Sequence, residues 1–162
     1  MTTVVQLKEV WKAFGGQQVL AGLSLDVLAR ETLVIIGRSG TGKSVTIRHV
    51  VGLESPDRGQ VLVFGKDLSA LRRVERDRLR LKMGYLFQSG ALLNWMTVEE
   101  NVELPLLEHR RDLSRKDRQD RVLEKLDLVE MRDARRKYPS EISGGMKKRA
   151  ALARAIVLEP EI

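Results

Sequence analysis

The run Gly37-Arg38-Ser39-Gly40-Thr41-Gly42-Lys43-Ser44 is a complete G-x-x-x-x-G-K-[ST] element. Its glycines let the backbone curl so that successive amides point inward at phosphate oxygens. Lys43 then sets an ammonium against the β- and γ-phosphates of a nucleoside triphosphate. The Ser44 hydroxyl is offered to Mg2+, a hard cation whose oxygen ligands are shared between protein and phosphates. Such a loop needs a strand that delivers the chain to it and a helix that leaves it, because the helix start adds the positive end of its dipole. Thr32-Leu33-Val34-Ile35-Ile36 is continuously apolar and reads as a strand buried on both faces that ends at Gly37. Residues 44–52 read as the helix. The phosphate-binding set on this reading is Gly37, Arg38, Ser39, Gly40, Thr41, Gly42, Lys43, Ser44 and Val45.

The loop alone leaves kinases, GTPases and many ATPases open, and a second run narrows the choice: Ile142-Ser143-Gly144-Gly145-Met146-Lys147-Lys148-Arg149. Ser143 is a good helix N-cap, and two glycines at a helix start let a phosphate approach bare amides closely. Taken alone, a capped helix with no ligand explains the run equally well. With the phosphate loop upstream, the chain resembles the ABC ATPase family, Ser143-Gly144-Gly145 being similar to its signature motif with Met146 where glutamine is commoner.

The resemblance implies a set of roles. Ser143, Gly144 and Gly145 would meet the γ-phosphate of ATP bound by the opposite subunit of a head-to-tail dimer. Phe87-Gln88 is similar to the Q-loop, whose glutamine contacts Mg2+, so Ser44 and Gln88 are the expected metal ligands. Phe14, before Gly15-Gly16, matches the aromatic that stacks on adenine. By itself Gln88 reads as a surface amide and Phe14 as a core residue. The implied cofactors are ATP and Mg2+.

The elements that must position these residues follow from periodicity. Leu23, Leu25 and Val27 alternate with Ser24 and Asp26, as in a half-buried strand of an antiparallel region. Further strands are read at 60–64 and 83–88, a turn at 56–59 and a helix at 70–82. Thr97-Val98-Glu99-Glu100 is a capping box that opens a helix to about His109. Ser114 opens another, whose Val122, Leu126 and Val129 form one apolar stripe. The expected fold is α/β: a P-loop NTPase with a RecA-like parallel core, an antiparallel β portion and a helical subdomain. Its parts are residues 1–88, 89–155 with the signature motif, and 156–162, the start of a core strand region.

Two departures from the family pattern stand out. Arg30-Glu31 replaces the usual glycine-glutamate before the P-loop strand, which should alter turn geometry only. Leu158-Glu159-Pro160-Glu161-Ile162 approaches a strand that in the family carries the Walker B aspartate, followed by the catalytic glutamate and the switch histidine. These positions are expected beyond Ile162, so no catalytic residue is assigned and the 162-residue chain is expected to be a deficient ATPase. His49 and His109 do not match the switch position and read as structural or surface groups.

Composition bounds the remainder. With no cysteine, disulfides and thiolate metal sites are excluded. No window approaches the roughly 20 apolar residues of a spanning helix, and no leader is read at the N-terminus. The net charge of +7 reads as a solvated basic surface, since acids interleave with bases between His109 and Lys137. Only 4% of residues are aromatic, so stacking groups for single-stranded nucleic acid are few and no nucleic-acid partner is expected. The resemblance implies an integral-membrane permease partner and a peripheral position on the inner face of the bacterial cytoplasmic membrane. Gln88-Ser89-Gly90-Ala91-Leu92, Gly42-Lys43-Ser44-Val45 and especially Gly144-Gly145-Met146-Lys147-Lys148-Arg149 are similar to the ATPases of Mla- and Mce-type lipid transporters, which implies phospholipid transport with no lipid pocket in this chain. A soluble ABC protein acting on nucleic acid or ribosomes, and a non-catalytic nucleotide-binding module, stay open as alternatives.

Overall fold

The computed structural model describes residues 2–162. They separate into two compact units, one running to Arg80 and the other Leu81–Ile162. In the first unit, β1 (Thr3–Phe14), β2 (Gln17–Leu28), β3 (Arg58–Val63) and β4 (Lys66–Asp67) form one antiparallel sheet in the order β2-β1-β3-β4. Val5, Leu7 and Val10 of β1, Leu20 of β2 and Val61 and Val63 of β3 are buried, each such side chain contributing roughly 1.5–3 kcal/mol relative to an exposed one. The alternation expected around Leu23, Leu25 and Val27 is present, with Ser24 and Asp26 exposed between them.

Helix α1 (Lys43–Val50) follows the phosphate loop, and α2 (Arg73–Arg80) closes the unit, at Arg80 donating to the carbonyls of Val51 and Gly52. His49 is fully buried on α1, and its Nδ1–H donates to the carbonyl of Val45 at 2.7 Å, a structural role as expected. Arg30 adopts φ 65°, the left-handed region in which glycine pays no steric penalty, so the family's glycine preference at this turn has a backbone cause. Glu31 steadies the turn by accepting from the Leu28 amide at 2.7 Å.

The second unit is helical: α3 (Val98–His109), α4 (Arg115–Leu128) and α5 (Gly144–Ile156). The expected stripe of Val122, Leu126 and Val129 is buried against Val98, Val102 and Leu106 of α3 and Ala150 and Ala153 of α5. Alanines on α5 let that helix approach its neighbours closely. Thr97 and Glu100 satisfy each other's amides at 3.2 and 2.7 Å, and Ser114 caps α4 by accepting from Asp117 at 3.1 Å.

Two expected strands are not formed. Thr32–Ile36 has no ladder partner among the described residues and is exposed rather than buried on both faces, Val34 at 68% and Ile36 at 90%. A continuous apolar run reports a capacity for burial, whereas a strand exists only where another strand accepts and donates its hydrogen bonds. Residues 83–88 likewise carry no regular ladder. There, the Ile162 amide donates to the Lys82 carbonyl and the Gly84 amide donates to the Ile162 carbonyl, at 3.2 and 2.7 Å. Residues 81–88 belong to the second compact unit. No helix among the described residues is long and apolar enough to cross a membrane.

Candidate functional site

The phosphate loop leaves the apolar run at Gly37 and turns through two residues at positive φ, Gly40 (82°) and Gly42 (89°). Gly42 is the N-cap of α1, no side chain caps that helix, and its first turn holds no acidic residue. The helix therefore presents a positive dipole end without a protein anion to occupy it. A Cβ on Gly42 would lie 2.9 Å from Leu20 Cδ2 and 3.1 Å from the Val19 carbonyl oxygen, so only glycine fits between loop and sheet. Thr41 Oγ1 donates to the Arg38 carbonyl at 2.9 Å, and Lys43 Nζ donates to the carbonyls of Gly37 and Arg38 at 2.7 and 2.6 Å. The lysine is folded over the mouth of the loop, where it could exchange two carbonyls for phosphate oxygens. Arg38, Ser39, Gly40, Thr41 and Ser44 are exposed, while Val45 is half-buried. Ser44 is thus free to face solvent at the first turn of α1.

The same unit brings Phe14 into this neighbourhood. Gly15 (φ 55°) and Gly16 (φ 83°) form the two-residue turn between β1 and β2, with both central residues left-handed as a hairpin of this type requires. Phe14 pairs with Gln17 beside the turn, and its ring is 42% exposed. Register jumps from Lys12↔Leu20 to Ala13↔Gln18, leaving Val19 unopposed as a bulge. That bulged Val19 and its neighbour Leu20 are the residues on which Gly42 packs, so the hairpin end carrying Phe14 lies roughly 7 Å along the strand from the loop. The isolated phenylalanine that reads as core on sequence is a surface ring here.

In the second unit, Gln88 is exposed at the turn before Gly90. Arg154 of α5 donates to the carbonyls of Gly90 and Ala91 at 2.7 and 2.8 Å, and burial pulls its pKa below the usual arginine value. A Cβ on Gly90 would meet Ala151 Cβ at 3.3 Å, so the Gln88 turn is seated directly on the signature helix. At the start of that helix Ser143 Oγ accepts from the Met146 amide at 3.3 Å, as expected of an N-cap. Gly144 has open space where a Cβ would stand and Gly145 meets only Ser143 Oγ at 4.0 Å, both without positive φ. Nothing among the described residues requires glycine at either position, although alanine would favour the helix by about 1 kcal/mol each.

Ser44 belongs to the first unit and Gln88 to the second, and no cluster of three or more acidic, histidine or cysteine side chains suited to a metal occurs among the described residues. A Mg2+ ion at the phosphate loop would take the Ser44 hydroxyl as a neutral oxygen donor and phosphate oxygens for the rest, which fits a hard cation.

Three residues escaped the sequence reading. Asn101, fully buried on α3, accepts from the Leu93 amide at 2.7 Å and donates to the carbonyls of Leu93, Met96 and Thr97, fixing the loop that presents Trp95, 75% exposed. Leu92 on the same loop packs against the helical core instead. The signal for Asn101 was a polar residue set between Val98 and Val102 on an apolar face. Arg154 and Lys12 left no such signal, because the hydrogen-bond acceptors that hold them, Gly90 and Ala91 for the first and Ser55 and Asp57 for the second, are remote in sequence.

The family model for ABC transporters matches residues 20–162. A probable ribonucleotide transport ATP-binding protein, mkl, of Mycobacterium leprae (strain TN) is 42% identical over 162 residues, covering 100% of this chain and 46% of that protein. A methionine import ATP-binding protein, MetN, of Clostridium tetani is 40% identical over 159 residues, covering 98% and 49%. The chain spans about half the length of the curated relatives it matches. Among solved structures, the ATP-binding cassette MJ0796 in a dimeric post-hydrolysis state bound to ADP and Pi aligns with a TM-score of 0.89 at 33% identity, covering 96% of this chain and 70% of that one. The exposed apolar segment before Gly37, the glycine-built loop and the capped Ser143 helix therefore sit in a P-loop NTPase cassette fold, and the chain belongs to the ABC transporter family.

Proposed function

We propose that this chain is the ATP-binding part of an ABC transporter and couples ATP binding and hydrolysis to transport, with phospholipid or a related lipid as the cargo. The observation that carries the reading is the uncapped start of α1 behind Gly40 and Gly42, with Lys43 folded over it. The loop amides and Lys43 bind the phosphates, Phe14 carries the adenine, and Ser44 would offer its hydroxyl to Mg2+. When bound, that ion supplies charge neutralisation between the β- and γ-phosphates. Ser143, Gly144 and Gly145 receive the γ-phosphate side of a nucleotide held by a second copy, which gives the two bare glycines a reason. The loop of Trp95 faces a membrane permease, and the protein works at the inner face of the cytoplasmic membrane.

Lipid as cargo rests on the similarity of Gly144-Gly145-Met146-Lys147-Lys148-Arg149 to lipid-transport ATPases. A second reading, a small polar solute, is favoured by relatives named for ribonucleotide transport and methionine import. Two measurements on the intact protein test these statements. Lys43→Ala should weaken ATP binding at least about a hundredfold, as loss of two charge-assisted contacts implies; unchanged affinity removes the loop from the site. ATPase activity of the protein reconstituted with its permease should rise with phospholipid and not with methionine or a ribonucleotide. The reverse response assigns the polar cargo.

A further inference from the structure

Lys12 has an arrangement that sheet pairing does not need. Its Nζ lies over the ring of Phe14, two residues along β1 on the same strand face, 5.2 Å from the centroid. The ammonium is pinned from the other side. It donates to the Ser55 carbonyl at 2.8 Å and to Asp57 Oδ1 at 3.3 Å, with Glu54 at 4.0 Å. Asp57 is itself anchored to β1, its Oδ2 accepting from the Ala13 amide at 2.8 Å while its own amide donates to the Trp11 carbonyl at 2.9 Å. The lysine side chain is only 14% exposed, whereas the ring it touches is 42% exposed. A surface lysine spends its cation on solvent. This one is held by the loop after α1 and aimed at an aromatic face.

We propose that Lys12 is a positioning residue for nucleotide-base recognition: it fixes the Phe14 ring with one face on its ammonium and leaves the other face for a neutral purine. The proposal rests on the reading of Phe14 as the base platform and deepens it. A cation on one face of a benzene ring draws negative potential away from the opposite face. An electron-rich base then stacks better on that face than on an unpolarised ring, and a cationic base stacks worse. The Lys12–Asp57 link also ties the ring to the loop that follows α1. The base platform and the helix that starts the phosphate cradle therefore move as one body inside this unit.

The test is calorimetric titration of the intact protein with ATP and, separately, with inorganic tripolyphosphate, which has the phosphates and no base. Variants are Lys12→Met, which keeps the aliphatic stem, Lys12→Arg, which keeps the charge, Phe14→Ala and the double variant Lys12→Met/Phe14→Ala. Lys12→Met should weaken ATP about 3- to 10-fold, the range of a partly desolvated cation–π contact, and leave tripolyphosphate unchanged. Lys12→Arg should restore most of the ATP affinity. In the Phe14→Ala background Lys12→Met should have no further effect. Equal losses for ATP and tripolyphosphate, or additive losses in the double variant, overturn the proposal, because Lys12 would then act on the cradle or on the ligand directly. If Phe14→Ala leaves ATP affinity intact, the platform reading itself fails, which is a distinct result. Should Lys12→Met prove unstable, Asp57→Asn releases the same clamp from its far end and must reproduce the ATP-only loss.

Discussion

The guanidinium of Arg154, on the helix that begins at the signature glycines, donates to the carbonyl of Gly90 at 2.7 Å, two residues beyond Gln88. The Gln88 turn and the signature helix are thereby parts of one rigid arrangement, reinforced by the second bond to Ala91 and by Gly90 lying against Ala151. Replacing Arg154 with Met keeps the stem and removes both donors. We expect a loss of about 1–3 kcal/mol in stability, the scale of hydrogen bonds to a charged group at a partly exposed site. Amide hydrogen exchange should accelerate at residues 88–93 in particular. Uniform acceleration across the helices, with no excess at that turn, would count against the local role.

Gly40 and Gly42 share a left-handed backbone but differ in surroundings. Alanine at Gly42 meets Leu20 and Val19 as well as the conformational cost, whereas alanine at Gly40 meets nothing within 4 Å. Gly40→Ala should cost about 1–2 kcal/mol and Gly42→Ala clearly more. Urea unfolding of both variants checks the order, and equal costs would show that the Gly42 contact with β2 is not tight.

At the signature helix the expectation runs the other way. Gly144→Ala and Gly145→Ala have room inside the chain, so each should hold or raise the thermal midpoint through better helix propensity, worth up to about 1 kcal/mol. The same variants should lose ATP-dependent dimerisation, read by light scattering of the intact protein with ATP. Full dimerisation in the double variant would mean that nothing approaches these amides closely.

Asn101→Leu leaves the Leu93 amide and the carbonyls of Leu93, Met96 and Thr97 without the partner they have now. Each buried group left unsatisfied costs about 1–3 kcal/mol, so a destabilisation of roughly 3 kcal/mol is expected once some regain water. Trp95 fluorescence should shift as its loop loosens, and an unshifted spectrum would show that the loop holds its shape without Asn101.

Asp57 titrates below the usual carboxylate range, chiefly because the Ala13 amide donates to it and further because Lys12 does. A lowered folded pKa means the carboxylate form is favoured by folding. Its contribution is complete above the ordinary carboxylate value and is lost as pH falls through the lowered one. The Lys12 clamp should therefore be indifferent to pH between about 5 and 8. Thermal midpoints followed into acid should fall less steeply for Asp57→Asn than for the parent protein, and parallel curves would remove Asp57 from the acid response.

Much of the site was legible without a structure wherever its physics is local. Ser143, Thr97 and Ser114 cap helices through bonds that reach three residues along the chain, so residue type and spacing suffice to read them. Gly40 and Gly42 announce their turn because few other residues adopt that backbone. The pair Gly15-Gly16 does the same for the hairpin beside Phe14.

What the tertiary structure decided depends on partners far away in sequence. Thr32–Ile36 has the composition of a buried strand, yet composition cannot supply the neighbouring strand whose hydrogen bonds would make it one, and the segment stands exposed. Gly42 needs glycine because a bulge in β2 places Val19 against it, which no pattern within the loop reveals. Lys12 finds Phe14 and Asp57 together, and Arg154 finds Gly90, only after strands pair and helices pack. A sequence by itself determines the contacts that chain connectivity enforces within a turn or two. Contacts between remote segments are decided by the packing that brings them within reach, because the entropy of closing those loops is repaid only by the assembled core.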